Sequence, residues 1–342
     1  MRIGRLLDHP TRHGDADYGR LALELMLESA TADGLLDEPV ELVDEDAVGG
    51  IGRVVAGARR LAGKGCALIL GPSVTDFAVP IVPVLDELRV PAINWSGSGL
   101  ARGPWCFQLK VGSLPDEAGH LVRWIAEERH HQVAIARERG PIGSEYGEWL
   151  RRGLASVDAD VAADLELDPT SNEATFAEVA DGLLSSSPSC VVYLGFGPSG
   201  VALCRALRGL GWHPPIAGNI GIGVRPSAEI EGVVFTDVID ESNTVLRRFT
   251  ERFRSRYHVD AVPLGLAASH DLAATAIEAI RLAPERDAAG MRAGLEAIRG
   301  LPAACGAPGT AIGFAPWDRD GYKGPLVVLR QVRGGIPVTL RR

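Results

Sequence analysis

Residues 195–200 read Gly-Phe-Gly-Pro-Ser-Gly, a G-x-G-x-x-G spacing set between the apolar run "CVVYL" and the helical pattern "SGVALCRALRGLGW". Such glycines let a backbone turn tightly and approach a dinucleotide pyrophosphate at a helix N-terminus, and an acid about 20 residues later binds the ribose. That acid is missing: Gly211 to Arg225 contains no Asp or Glu, and the polar residue of the next strand-like segment, "PPIAGNIGIG", is Asn219. Pro198 stands where a free N–H would face phosphate, and proline has none. An NAD-dependent enzyme is therefore the remote reading. The stretch reads as a glycine-rich strand-to-helix turn, and no cofactor is expected.

Other reactive side chains are as poorly placed for catalysis. His130-His131 follows a helical pattern in "EERHH", where a cation near the helix C-terminus is favoured by the dipole. A metal would need a third ligand that the spacing does not supply. His270-Asp271 lies in an alanine-rich helical stretch and reads as packing or a hydrogen bond between elements. Ser73, in Gly71-Pro72-Ser73, is not in a G-x-S-x-G elbow and has no recognisable partner. "NWS" at Asn94 sits at a strand end and is an accidental glycosylation triplet. Five cysteines are an odd number without C-x-x-C. Cys66, Cys106, Cys190 and Cys204 read as buried small hydrophobes, and Cys305, in "ACGAPG", as exposed. These observations point away from an enzyme.

The elements around these residues explain more. "CALILGPSVTDFAVPIVPVLDELRVPAIN" (residues 66–94) has the plan of "CVVYLGFGPSGVALCRALRGLGWHPPIAGN" (residues 190–219): Cys, apolar strand, Gly-Pro-Ser, helix, Pro, strand, Asn. The copies differ in length by one residue and begin about 125 residues apart. Two like βαβ units in a chain of alternating strands and helices predict two lobes with doubly wound parallel sheets. Helices are expected over 77–88 and 147–156, among others. The strand ends gather neutral donors: Ser73 and Thr75 after one strand, and Asn94, Ser96, Gly97, Ser98 and Gly99 after the next. Hydroxyl and backbone N–H groups bind a carboxylate without a buried positive charge.

With 342 residues, 46% hydrophobic and 23% charged, the chain can fill two cores. A net charge of −9 with only scattered basic pairs leaves no footprint for nucleic acid and no DNA-binding segment. No apolar run approaches the ~18 residues of a membrane span.

In order and spacing, "RIGRLLDHPTRHGDADYGRLALEL", "VELVDEDAVGG", "ALILGPSVTDFAVPIVPVLDELRVPAINWSGS", "EYGEWL", "VVYLGFGPSGVALCRALRGLGW" and "GFAPWDRDGYKGPLVVLR" resemble the type I periplasmic binding proteins. The resemblance is to the leucine/isoleucine/valine-binding branch of ABC-transporter substrate-binding proteins. It implies two flavodoxin-like lobes joined by a three-crossover hinge, residues 1–115 with 240–318 and residues 116–239 with 319–342. They would close on a ligand in the cleft between them, hinging about "GSLPDE", the segment after "GVVFTDV", and "DRDGYK". It also implies a receptor that hands a small molecule to an ABC permease, outside the cytoplasm if a signal sequence has been removed. A cytoplasmic amide sensor of the same fold is the alternative if Met1 is the native start.

Carried over by position, the resemblance implies a carboxylate clamp of Thr75, Ser96 and Ser98 and an aromatic contact from Tyr18. In the second lobe it implies Tyr146 of the "YG" pair and Phe196 or Gly197. The acid that receives a ligand ammonium should fall at Asn219 or Ile220, and neither is acidic. An unpaired buried cation costs several kcal/mol, so the expected ligand is neutral or singly anionic: an aromatic or branched acid, or an amide. Tyr18, Trp95, Tyr146 and Phe196 would wall it. Amino-acid binding would be restored if Glu145 or Asp237 supplied the acid.

Overall fold

The repeat seen in the sequence is a repeat of topology. In the computed structural model, which describes residues 1–8, 17–195, 198–223 and 226–340, the chain divides into Met1–Val111 with Ile239–Leu326 (lobe 1) and Gly112–Val238 with Val327–Arg342 (lobe 2).

Lobe 1 begins β1 (Arg2–Leu7), α1 (Tyr18–Ala32), β2 (Glu41–Asp46), α2 (Ile51–Gly63), β3 (Leu68–Leu70), α3 (Thr75–Ala78), α4 (Val82–Leu88), β4 (Ala92–Asn94) and β5 (Cys106–Gln108). Its parallel strands lie in the order β2-β1-β3-β4-β5. Lobe 2 follows with α5 (Leu114–Glu127), β6 (Gln132–Glu138), α6 (Pro141–Leu154), β7 (Asp160–Leu167), α7 (Glu173–Ser185), β8 (Cys190–Leu194), α8 (Ser199–Gly209), β9 (Ile216–Gly218) and β10 (Val234–Asp237). Its order β7-β6-β8-β9-β10 is the lobe 1 order strand for strand. The first repeat copy becomes β3-α3-α4-β4 and the second β8-α8-β9.

The chain returns to lobe 1 through α9 (Thr244–Tyr257), α10 (Pro263–Leu282), α11 (Ala288–Ala297), β11 (Leu301–Pro302), β12 (Ala311–Ile312) and β13 (Tyr322–Lys323). It ends in lobe 2 with β14 (Val328–Arg333), antiparallel to β10, and β15 (Ile336–Thr339), antiparallel to β14.

Strands β3 and β8 are buried along their whole length, which is why they read as unbroken apolar runs with helices over both faces. In lobe 2, Val191 and Tyr193 face α7 and α8, while Val192 and Leu194 face α5 and α6. In lobe 1, α2 and α4 cover one face through Val54, Ala58, Leu61 and Leu85. Helix α1 packs with α9 and α10 through Ala22, Leu25, Phe249, Phe253 and Leu266.

Three expectations change. The helix over 77–88 is two helices, α3 and α4; Pro80 and Pro83 remove the N–H groups that would bridge them. The helix expected over 147–156 starts at Pro141, after Gly140 at φ 136°, because proline is pre-shaped for a first helical turn. Tyr146 therefore sits within the helix and not just ahead of it. The last crossing falls at Leu326–Val327 and not near residue 318. Residues 319–323 are bound into lobe 1: Gln108 N donates to Arg319 O (2.9 Å), Gly321 N to Gln108 O (2.8 Å) and Lys110 Nζ to Asp320 (3.0 Å).

Candidate functional site

In lobe 1 the chain leaves β3 through Gly71, Pro72 and Ser73. Gly71 has φ 113° and a Cβ there would lie 2.7 Å from Leu6 O, so only glycine fits. The turn brings Ser73 N and Val74 N onto the buried Asp8 carboxylate at 2.9 Å each, with Ser73 Oγ at 2.7 Å. Ser73 thus serves an internal acid.

The loop after β4 is held from below by two buried amides. Asn94 Nδ2 donates to Ala101 O (2.9 Å) and Phe107 O (3.1 Å), and its Oδ1 accepts from Ser96 N (3.1 Å). Gln108 Nε2 donates to Ser96 O (2.7 Å) and Ser98 O (2.8 Å). Within the loop Ser98 N donates to Ser96 Oγ (3.1 Å), and Ser96 Oγ to Thr75 Oγ1 (3.2 Å), which also receives Gly97 N (3.4 Å). Ser98 Oγ accepts from Leu100 N (3.4 Å).

Thr75, Ser96, Gly97 and Ser98 are therefore one connected group, Ser96 and Ser98 buried and Thr75 and Gly97 half-buried. Thr75 Oγ1 lies within reach of Ser96 Oγ and Gly97 N, and Ser96 Oγ also lies 3.4 Å from Ser98 O, so the hydroxyl protons of the group can turn towards an anion. Trp95 begins the same loop, with its Nε1 buried and without a partner. Tyr18 opens α1 and packs edge-on against Phe253, ring centres 6.3 Å apart.

Lobe 2 is organised around an acid that the sequence reading passed over. Glu117, on α5, is completely buried. Its Oε1 accepts from Ser113 N (2.8 Å) and Tyr146 Oη (2.6 Å), and its Oε2 from Ile220 N (2.9 Å) and Thr236 Oγ1 (2.5 Å). Burial raises the Glu117 carboxyl above its ordinary value, against the pull of those four donors. Burial, then the Glu117 charge, lifts the Tyr146 phenol well above its own.

Tyr146 and Ile220 thus meet on Glu117, while Asn219 joins the strands: its Oδ1 accepts from Gly195 N (3.0 Å). Asn219 lies near enough to Tyr146 to ease the shift of the phenol. Its buried Nδ2 reaches no partner at hydrogen-bond geometry. Phe196 and Gly197 lie outside the described residues.

Of the substitute acids, Asp237 is buried and tied to Arg330 at 2.9 Å, and Glu145 is half-buried on α6. A further acid, Glu138, ends β6 half-buried and accepts from Tyr193 Oη at 2.6 Å. The fingerprint-like glycines have local reasons. A Cβ at Gly195 would strike Glu138, and one at Gly200 would strike Ile222 and Tyr193.

The histidines and cysteines singled out in the sequence have local partners or lie buried in the two lobes. His270 lies edge-on to Phe249 and bonds Asp271 through Nδ1 (2.9 Å). Buried Asp271 also accepts from Ala304 N (2.6 Å), Cys305 N (2.9 Å) and Tyr322 Oη (3.0 Å). This corrects the expected exposure of Cys305, which is buried because Asp271 draws its glycine-rich loop onto α10. Cys66, Cys106, Cys190 and Cys204 are buried and free. His130 stacks near Trp124, and His131 bonds Asp158 O.

Two α/β lobes of one strand order, repeated in a single chain with three crossings, form the type I periplasmic binding protein fold. The sequence model of the family described as "Periplasmic binding protein" matches residues 15–319, and the chain belongs to that family. The Leu/Ile/Val-binding protein BraC3 of Rhizobium johnstonii is 23% identical over 221 residues, 62% of this chain and 59% of the relative. The match thus spans less than two thirds of that relative's length. An ABC transporter substrate-binding protein from Desulfitobacterium hafniense, solved in complex with Leu, superposes with a TM-score of 0.82 at 17% identity, covering 99% of each chain. The branched-chain amino acid transporter substrate-binding protein LivJ of Streptococcus pneumoniae, solved with isoleucine, gives 0.83 at 14% identity over 99% of each chain. Among the described residues no helix is long and apolar enough to cross a membrane.

Proposed function

We propose that this chain is a solute-binding receptor of an ABC-type uptake system. It binds a small carboxylate or amino-acid-like ligand, performs no chemistry on it, and presents it to a permease outside the cytoplasm. The observation that carries this reading is the lobe 1 loop. Thr75, Ser96, Gly97 and Ser98 form a pre-ordered group of neutral donors, held by Asn94 and Gln108. A carboxylate satisfies such a group without a buried counter-cation, and preorganisation spares the ordering cost of binding. Membership of the binding-protein family, and the Leu and isoleucine complexes of two proteins of like fold, support the ligand class.

A thermal-shift screen of amino acids, branched and aromatic acids and their amides tests it. A ligand selective for the folded state raises Tm by mass action, by roughly 2.7 kcal/mol of stability at a hundredfold excess over Kd. At least one carboxylate should do so in a saturable way. A set in which no compound shifts Tm contradicts the reading.

A further inference from the structure

The basic residues of this chain are not all scattered pairs. Residues 247–256, "RRFTERFRSR", lie in α9, which carries five arginines and one acid, Glu251, on a chain of net charge −9. Phe249 and Phe253 bury one face of α9 against Ala22 and Leu25 of α1 and Leu266 of α10. Arg247, Arg248, Arg252, Arg254 and Arg256 are all exposed. Arg248, Arg252 and Arg256 stand four residues apart, in one row with about 6 Å of rise between steps, and Arg247 and Arg254 form a second row two turns long.

This charge is only partly answered within the protein. Arg254 pairs with Asp260 at 2.8 Å, and Arg256 lies over the Tyr257 ring, 5.3 Å from its centre. The guanidinium groups of Arg247, Arg248 and Arg252 make no ion pair and no hydrogen bond among the described residues. Glu24 of α1, beside Tyr257, is already held by Arg20 at 2.7 Å. Like charges at i, i+4 repel, so the row weakens the helix that carries it.

From this arrangement we infer that the exposed face of α9 binds an anionic lipid bilayer. No large apolar side chain of α9 is exposed, whereas a protein interface has an apolar core depleted of charge. A bilayer with anionic headgroups requires neither an apolar anchor nor a groove, because it attracts each arginine near its surface. The inference rests on the receptor reading, which puts the chain outside the cytoplasm, beside the membrane that carries the permease. Weak attachment through α9 raises the concentration of the receptor at that permease.

Sedimentation of the full chain with vesicles tests it, pure phosphatidylcholine being compared at low salt with an equimolar mixture of phosphatidylcholine and phosphatidylglycerol. The wild-type protein should bind the mixed vesicles and not the neutral ones, and about 1 M salt, which screens charges beyond about 3 Å, should release it. Each arginine near the surface is worth about fivefold in partitioning, so the triple variant Arg248→Gln, Arg252→Gln, Arg256→Gln should bind on the order of a hundredfold more weakly. It should melt no earlier than wild type, since a like-charged row has been removed. Arg252→Gln alone, about fivefold weaker, carries the test if the triple variant unfolds early. A control, Arg59→Gln, Arg60→Gln, Arg205→Gln, removes as much charge from exposed arginines elsewhere and should bind as wild type does. Absence of binding to the mixed vesicles, equal binding to both kinds, or an equal loss in the control overturns the inference. Binding of poly-L-glutamate but not of mixed vesicles also overturns it, and assigns α9 to an acidic protein. The ligand screen decides the receptor reading independently of these outcomes.

Discussion

Asn94 closes β4 of lobe 1 and Asn219 follows β9 of lobe 2, the same place in the two copies of the repeat, yet they do different work. Asn94 uses both ends of its amide, holding two carbonyls and one N–H of a loop rich in neutral donors. Asn219 uses only Oδ1, on Gly195 N, and its Nδ2 is buried without a partner. The acids differ in the same sense. Asp8, just past the first strand of lobe 1, is consumed by Ser73 and Val74. Glu138, at the end of the first strand of lobe 2, is half-buried and accepts from the side chain of Tyr193, not from a strand-end backbone turn. One topology has thus been finished with neutral donors on one lobe and with carboxylates on the other. The strand order fixes where a site can form, and a few side chains set its charge.

The largest effect that probes this difference is expected at Glu117. Glu117→Ala leaves four buried donors unsatisfied, each costing about 1–3 kcal/mol, so lobe 2 should lose on the order of 4 kcal/mol or more in denaturant unfolding. The loss should appear with no ligand present. Glu117→Gln adds a test of sign. Because burial raises this carboxyl, the folded state keeps its proton at pH values where the unfolded chain has released it. Stability contributed here is greatest at or below the ordinary carboxylate range and falls as pH rises through the raised folded value. The Gln variant should lack that slope in unfolding measured as a function of pH. An unchanged slope would assign it to other carboxylates.

A smaller and more discriminating pair is Asn94→Ala and Asn219→Ala. The first removes three hydrogen bonds and should cost on the order of 2–3 kcal/mol; the second removes one and should cost about 1 kcal/mol. Equal costs would mean that the two asparagines are not used differently.

Much of this was legible in the sequence. The repeat gave the two lobes because Cys66 and Cys190, the Gly-Pro-Ser turns and Asn94 and Asn219 recur at one spacing, and spacing constrains topology directly. The hydroxyl-rich group was legible for a similar reason: Ser96, Gly97 and Ser98 are adjacent in the chain, and Thr75 follows the matching strand end of the same βαβ unit. Glu117 and Glu138 were not. Glu117 stands beside Asp116 and looks like an ordinary acid of a first helical turn. Its one signal was phase, three residues after Leu114 and four before Leu121, on the apolar stripe. Glu138 gains its meaning from Tyr193 and Gly195, more than fifty residues away, and no local pattern connects them. The early start of α6 was missed because Gly140-Pro141 reads as a breaker, although it is also a helix entry.

The central claim is that the neutral loop of lobe 1 takes the carboxylate of a small ligand. Its most direct test is calorimetry of one binding acid and its methyl ester against the wild-type protein and Thr75→Ala. The account predicts that wild type prefers the acid by roughly tenfold or more, and that Thr75→Ala weakens the acid by a similar factor while leaving the ester unchanged. Equal binding of the acid by wild type and Thr75→Ala would contradict it.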